Sequence, residues 1–326
     1  IFEETPHEAT DFALYQIAHF MGIPCLFFQP SLVGPQLVAR TAIDRLLRIS
    51  PHGGAGLRPD LELARVAAIN ISRAAVRKLQ DGGGTELLDR QKRIDSVTGG
   101  LASKLRAFSW TGRSLLTGQP NELVNLTGHK SIPRRVRKAH EVFASWSLRK
   151  SLHQTISMLP SSAPQTNGRY AVFALHYEPE RTNMPEGLPY LSQLDAVLAA
   201  RRFLPPNVSL IVKEHYAQQS SSLRGYVGRS PLAYDYLRRI PGVELVGVKA
   251  NTRELVKGAV GVFTMTGKIG IEAAFLGKPA IYLGQPWWGG MPGAMSFSDL
   301  ETFEDVSKSP SPTAHQVWSW FDEQID

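Results

Sequence analysis

In the second half of the chain, short apolar runs alternate with amphipathic stretches. Residues 170–175, 208–213, 243–246, 260–264 and 279–283 are nearly continuous in apolar and β-branched residues, the pattern of strands buried on both faces. Between them, 188–203, 230–239, 252–258 and 267–276 carry helical spacing. Strands alternating with helices predict a parallel sheet with right-handed crossovers. In such a sheet ligands bind beyond the carboxyl ends of the strands, so the residues that follow each run are the first place to look for chemistry.

The first half is less regular. Phe12, Tyr15, Ala18 and His19 share one face of a helix over 11–21, Gly22 ends it, and a β-rich run over 23–29 is closed by Pro30. This helix–strand unit reads as part of an α/β domain already under way, with earlier strands expected upstream of Ile1. Residues 50–59 read as a loop, and 60–80 and 131–158 as helices. Gly82-Gly83-Gly84 and Gly99-Gly100 break any pattern between those helices. The stretch 160–168, rich in Ser, Pro and Asn, reads as a linker, which divides the chain into domains 1–164 and 165–326.

Composition narrows the class. With 43% hydrophobic and 20% charged residues, 326 residues form a folded protein with a sizeable core. No apolar run approaches the roughly 18 residues of a spanning helix. A single cysteine, Cys25, excludes an internal disulfide framework and a cysteine-rich zinc site and fits a reducing compartment. Charge is uneven: residues 1–164 hold 21 Lys+Arg against 13 Asp+Glu, whereas 165–326 hold 15 against 16. Within 73–150 there are 16 basic and 6 acidic residues, densest at Arg134-Arg135-Val136-Arg137-Lys138. Such a region is either a solvated helix face or a surface for an anionic partner, a membrane or acidic glycan. Nucleic acid is disfavoured, because no zinc-finger spacing, RNP-type aromatic pattern or repeat accompanies the charge.

Three strand ends carry candidate chemistry. After 170–175 come His176, Tyr177, Glu178, Pro179 and Glu180, able to hydrogen-bond a sugar or donate a proton, or simply to cap the next helix. After 208–212 come Lys213, Glu214 and His215, where lysine offers phosphate a point charge and histidine a donor. The third, Thr264-Met265-Thr266-Gly267-Lys268-Ile269-Gly270-Ile271-Glu272, runs from strand into helix and lacks both the Walker and the GxGxxG spacing. A helix start there would expose N–H groups to phosphate, the two glycines would let a ligand or neighbouring strand approach, and Glu272 would accept ribose hydroxyls. Trp287 and Trp288 follow the last strand, either with one ring over a ligand or with both in the core.

In this order the motifs resemble the bacterial capsule polysaccharide biosynthesis family, whose characterised members include Kdo transferases. The resemblance rests on Phe173-Ala174-Leu175-His176-Tyr177-Glu178-Pro179-Glu180, on Val212-Lys213-Glu214-His215 and on Thr264-x-Thr266-Gly267-x-x-Gly270-x-Glu272-Ala273. It continues through Gly277-Lys278-Pro279 and Leu283-Gly284-Gln285-Pro286-Trp287-Trp288, and so covers most of 169–290. Upstream, Thr5-Pro6-His7-Glu8, Asp11 and Gly22-Ile23-Pro24 resemble the family's N-terminal domain more weakly.

The resemblance implies an α/β, GT-B-like architecture: two Rossmann-like domains with a parallel sheet each, the N-terminal one incomplete and acceptor-side, the C-terminal one binding a nucleotide sugar. It implies a glycosyltransferase that moves a sugar, Kdo from CMP-Kdo among the donors, onto a bacterial surface or capsular polysaccharide or a glycolipid acceptor. The donor is a substrate; no cofactor and no metal are implied. Onto this chain the donor site falls on His176, Lys213, Glu214, Thr264, Thr266, Gly267, Lys268 and Glu272, with His215, Glu178 and Asp11 as candidate catalytic groups. Asp11 and Glu8 are equally well explained as helix N-terminal residues. Two positions depart from the family: Tyr216 replaces a proline, and Lys268 replaces a small residue and fits a donor with more phosphate than CMP. The location implied is cytoplasmic, peripheral on an anionic inner membrane through 73–150. The alternatives are a nucleotide-sugar epimerase or hydrolase on the same fold, and a non-catalytic glycan-binding subunit of an export system.

Overall fold

The computed structural model describes residues 9–30, 37–42, 45–46, 59–82, 134–162, 168–180, 185–190, 192–220 and 223–325. Glu8 and the Thr5-Pro6-His7 segment, all of 83–133 and the 163–167 part of the expected linker lie outside them.

The first described elements are helix α1 (Ala9–Phe20) and strands β1 (Phe27–Pro30), β2 (Leu37–Ala42) and β3 (Arg45–Leu46). These strands pair antiparallel in the order β1-β2-β3, which corrects the expectation of a parallel sheet for this part of the chain. The reason is connection length: a parallel crossover needs about a dozen residues, and neither 31–36 nor 43–44 can supply them. Helices α2 (Pro59–Gln80) and α3 (Arg134–Ser157) match the periodic stretches read from the sequence.

From β4 (Arg169–Ala174) onward the chain is doubly wound. The following elements are α4 (Gln193–Phe203), β5 (Val208–Lys213), a short α5 (Gly225–Gly228), α6 (Pro231–Arg238) and β6 (Val243–Val246). After them come α7 (Thr252–Gly258), β7 (Val262–Thr264), α8 (Ile269–Phe275), β8 (Ala280–Tyr282), β9 (Ala294–Ser296), α9 (Phe303–Lys308) and α10 (Ala314–Ile325). The six strands form one parallel sheet in the order β6-β5-β4-β7-β8-β9. The chain winds outward from β4 in one direction through β5 and β6, then returns to add β7, β8 and β9 on the other side. The strand order therefore reverses between β4 and β7.

Alternate residues of one strand feed two cores. Val172, Ile211 and Val262 face α2, α7, α8 and α10, where Leu79, Val256, Ile271 and Phe321 are buried. Ala171, Phe173, Leu210, Val212 and Phe263 face α3, α4 and α6, where Ile156, Val197 and Leu237 are buried. Burying one such side chain contributes about 1.5–3 kcal/mol, so helices on both faces hold each strand end in place. Leu152, Ile156 and Leu159 precede the expected linker yet belong to this second core. Among the described residues, no helix is long and apolar enough to cross a membrane.

Candidate functional site

Three of the sequence-marked segments leave the sheet side by side. β5, β4 and β7 are neighbours, with Ala174 level with Lys213 on one side and Thr264 on the other. His176, Lys213-Glu214-His215 and Thr264–Lys268 therefore emerge together at the carboxyl edge, across the switch point where α/β sheets open a crevice.

His176 is buried, with its Nε2 2.9 Å from Thr264 Oγ1. Its backbone N–H donates to Gln193 Oε1 at 2.6 Å, and Gln193 Nε2 donates back to its carbonyl at 3.2 Å. Burial, then the nearby His215 and Arg229, lowers its pKa to about 3, so its ring is neutral at physiological pH. The Gly267 N–H donates to the same Thr264 Oγ1 at 3.2 Å. This helix-start N–H, expected to be open to phosphate, is thus engaged within the protein.

The glycines of this segment accommodate side chains. A Cβ on Gly267 would lie 2.7 Å from Thr264 Oγ1 and 2.8 Å from His176 Nε2, and one on Gly270 would lie 2.2 Å from the Trp288 ring. Trp288 is fully buried against α8 and donates its Nε1–H to the Thr266 carbonyl at 3.2 Å. Trp287 is buried against Trp320 and Phe321. Both tryptophans are core residues, which decides between the two placements the sequence allowed.

Glu214 is 1% exposed and turned into the protein. Arg229 Nη1 donates to both its oxygens at 2.8 Å, the Tyr234 hydroxyl donates to Oε2, and the His215 backbone N–H donates to Oε1 at 2.6 Å. Arg229 also donates to Glu178 Oε2 at 2.8 Å and to the His176 carbonyl at 3.1 Å. Burial alone would lower the Arg229 pKa, but the Glu214 and Glu178 carboxylates outweigh it and push it upward. Burial, and then Glu214, pushes the Tyr234 phenol far above its ordinary value. Gln218 adds a second tie: its Oε1 accepts from the Glu178 N–H at 2.9 Å, and its Nε2 donates to the Glu178 and Gly225 carbonyls.

Sequence reasoning missed Arg229, Tyr234 and Gln218. A lone arginine between Gly228 and Ser230 reads as exposed. The available signal was indirect: carboxylates at the ends of buried strands, Glu178 and Glu214, need a buried cation.

The half-buried His215 accepts the Ala217 N–H at Nδ1, at 3.2 Å. The neutral ring then carries its proton on Nε2, which has no partner among the described residues. Burial first, then the positive Lys213, Arg229 and Lys268, lowers its pKa to about 4. His215 is therefore a neutral donor near pH 7. Lys213 is buried, and its Nζ donates to the Glu214 carbonyl at 3.3 Å. Lys268 precedes α8; burial lowers its pKa to about 8 against the opposing pull of Glu272 and Glu180. Burial raises Glu272 to about 7, against Lys268, Arg253 and Lys213. Asp11 is exposed in the first turn of α1, and no hydrogen bond or ion pair described around the strand ends reaches it. Among the described residues no His/Cys/Asp/Glu group could hold a metal ion.

No protein-family model matches the chain. No curated protein matches it either. Among solved structures it is similar to a Thermosulfurimonas dismutans KpsC β-Kdo 2,7 transferase, at 16% identity and a TM-score of 0.32 over 58% of this chain and 51% of that one. A Thermosulfurimonas dismutans KpsC β-Kdo 2,4 transferase is matched at 12% identity and a TM-score of 0.35, over 96% of this chain and 76% of that one. UDP-GlcNAc 2-epimerase from Methanocaldococcus jannaschii is matched at 13% identity and a TM-score of 0.31, over 59% of this chain and 52% of that one. The chain thus spans about half the length of the first and third of these proteins.

Proposed function

We propose that the strand-end cluster binds the phosphate of a nucleotide sugar and that the protein is a glycosyltransferase of the two-domain GT-B type. The observation that carries this reading is the convergence of Lys213, His215 and Lys268 at the carboxyl edge, where His215 feels both lysines electrostatically. Two ammonium groups and a neutral imidazole N–H make a cradle that stabilises the negative charge developing on a departing phosphate. Glu272, whose proton exchange falls near neutral pH, lies within electrostatic reach of both lysines and suits a ribose or sugar hydroxyl.

Kdo from CMP-Kdo is the donor implied by the sequence resemblance, with a surface polysaccharide or glycolipid as acceptor. Lys268 favours a donor richer in phosphate. The protein would work in the cytoplasm against an anionic inner membrane through the basic 73–150 region. Phe143 and Trp146, 65% and 55% exposed, and Lys150 over the Trp146 ring support that contact.

The deciding experiment is a thermal-shift panel of CMP, UDP, GDP and ADP, followed by transfer assays with and without a glycan acceptor. A ligand that binds only the folded protein raises the midpoint with its affinity. One nucleotide should stand out, and its sugar should be consumed only with acceptor. Turnover without acceptor would indicate an epimerase or hydrolase, and glycan binding with no nucleotide shift would indicate a non-catalytic subunit.

A further inference from the structure

We infer that Arg229 is the positioning residue of this site: one buried guanidinium, 5% exposed, fastens the loop after β4 to the loop after β5 and thereby sets the His215 ring. The inference rests on the proposed nucleotide reading for its functional meaning, but not for its geometry. Arg229 follows α5, on neither of the strands it serves. It grips Glu214 through both carboxylate oxygens, Glu178 through Oε2 and the His176 backbone through its carbonyl.

The line of contact to the ligand side is short. Arg229 and the Tyr234 hydroxyl fix the Glu214 carboxylate, whose Oε1 accepts the His215 N–H at 2.6 Å. The next backbone N–H but one, that of Ala217, fixes the imidazole through Nδ1. The neutral ring therefore carries its proton on Nε2, the one ring nitrogen left to donate. Lysine at position 229 would keep the charge but not the planar fork that meets two carboxylates and a carbonyl at once. Packing is equally tight: a Cβ on Gly228 would lie 2.4 Å from the Glu178 backbone, so the 225–229 segment is seated directly on the β4 loop.

A purely structural arginine and a positioning arginine differ in what reaches His215. The charged and titratable groups facing its ring are Lys213, Arg229 and Lys268, with His176 close enough to be influenced by it. Histidine-labelled full chain would be titrated by NMR for wild type, Arg229→Lys and Tyr234→Phe, with the His215 signal assigned by His215→Asn. The same proteins would be tested against the nucleotide that gives the largest wild-type thermal shift.

In Arg229→Lys the His215 ring should gain water and its midpoint should rise from about 4 by a unit or more toward 6.5, while nucleotide affinity falls about tenfold or more. Tyr234→Phe, which removes one hydroxyl and keeps the fork, should show smaller changes in the same direction. If Arg229→Lys does not fold, Tyr234→Phe carries the test alone. An unchanged His215 midpoint in the folded variants would overturn the inference, even if the protein were destabilised. If wild type binds no nucleotide in the panel, the functional reading falls, and the His215 midpoint still decides whether Arg229 positions the ring.

Discussion

His176 Nε2 and Thr264 Oγ1 stand 2.9 Å apart, joining the ends of adjacent parallel strands β4 and β7 at the place where the strand order reverses. Open α/β sheets bind ligands at this reversal because the loops on either side diverge there. Here a neutral imidazole and a hydroxyl join the two strand ends, with the Gly267 N–H on the same oxygen. Two residues that the sequence marked for ligand contact thus tie adjacent strand ends to each other.

Gly267→Ala should break this tie. Its Cβ would press within 3 Å of both Thr264 Oγ1 and His176 Nε2, so one of them must move. Overpacking of this kind costs about 1–3 kcal/mol. Adding Thr264→Ala should recover part of the loss, because the nearer obstacle is the hydroxyl oxygen. Melting temperatures of the two single variants and the double variant would check this, and additive losses would contradict it.

Stability should depend on pH through the same histidines. His176 and His215 have folded pKa values of about 3 and about 4, below the ordinary 6.5. The unfolded chain therefore binds more protons between those values, and stability that is complete above 6.5 is lost as pH falls through the window. Each such group contributes a slope of about 1.4 kcal/mol per pH unit. Glu272 acts oppositely: raised to about 7 from 4.5, it adds stability below 4.5 that is lost as pH rises through 7. Urea denaturation from pH 8 to 4 should show His176→Gln flattening the curve by about one proton and Glu272→Gln steepening it between 4.5 and 7.

Strands β4 to β8 were legible because they are largely buried on both faces, whereas the half-buried β9 (Ala294–Ser296) carries no such run. Val172 serves one core and Phe173 the other, so the runs are apolar throughout and cannot be mistaken for half-exposed strands. The strand-end residues followed from that reading. Their partners did not, because Arg229 reaches Glu214 and Glu178 across the fold, and no local pattern distinguishes a buried arginine in a polar loop from a solvated one. The tryptophans show a further limit. Sequence places them just after β8, but only the gap left by Gly270 and the α10 residues Trp320 and Phe321 turns both rings inward. The antiparallel order of β1, β2 and β3 depends on short connections whose length carries no hydrophobic signal.

The basic start of α3 makes a separate prediction. α3 begins at Arg134-Arg135-Val136-Arg137-Lys138 and carries the exposed Phe143 and Trp146 rings, 6.0 Å apart, farther along. If this helix meets the headgroups of an anionic bilayer, the protein should sediment with phosphatidylglycerol vesicles and not with phosphatidylcholine vesicles. Binding should weaken as salt rises from 0.05 to 0.5 M (an about threefold shorter Debye length). Trp146→Ser should lower binding severalfold without changing the melting temperature. Binding that ignores both salt and Trp146 would return the helix to a solvated surface.

His215 combines an observed capping role with the phosphate contact proposed for it. Its Nδ1 accepts the Ala217 N–H and so caps the short 3₁₀ turn Tyr216–Gln219, while Nε2–H points to no partner among the described residues. Asparagine can accept the same N–H, as capping side chains of that length do, but it cannot carry a donor to where the imidazole Nε2 stands. His215→Asn should therefore melt within a few degrees of wild type, and His215→Ala should lose about 1 kcal/mol more for the missing cap. Nucleotide affinity should fall about ten- to a hundredfold in both, as expected for one lost hydrogen bond to a charged phosphate, worth about 1.5–3 kcal/mol. Titrating the nucleotide into each variant by calorimetry separates the outcomes. Wild-type affinity in His215→Asn would leave His215 with its capping role alone and shift the phosphate cradle to Lys213 and Lys268.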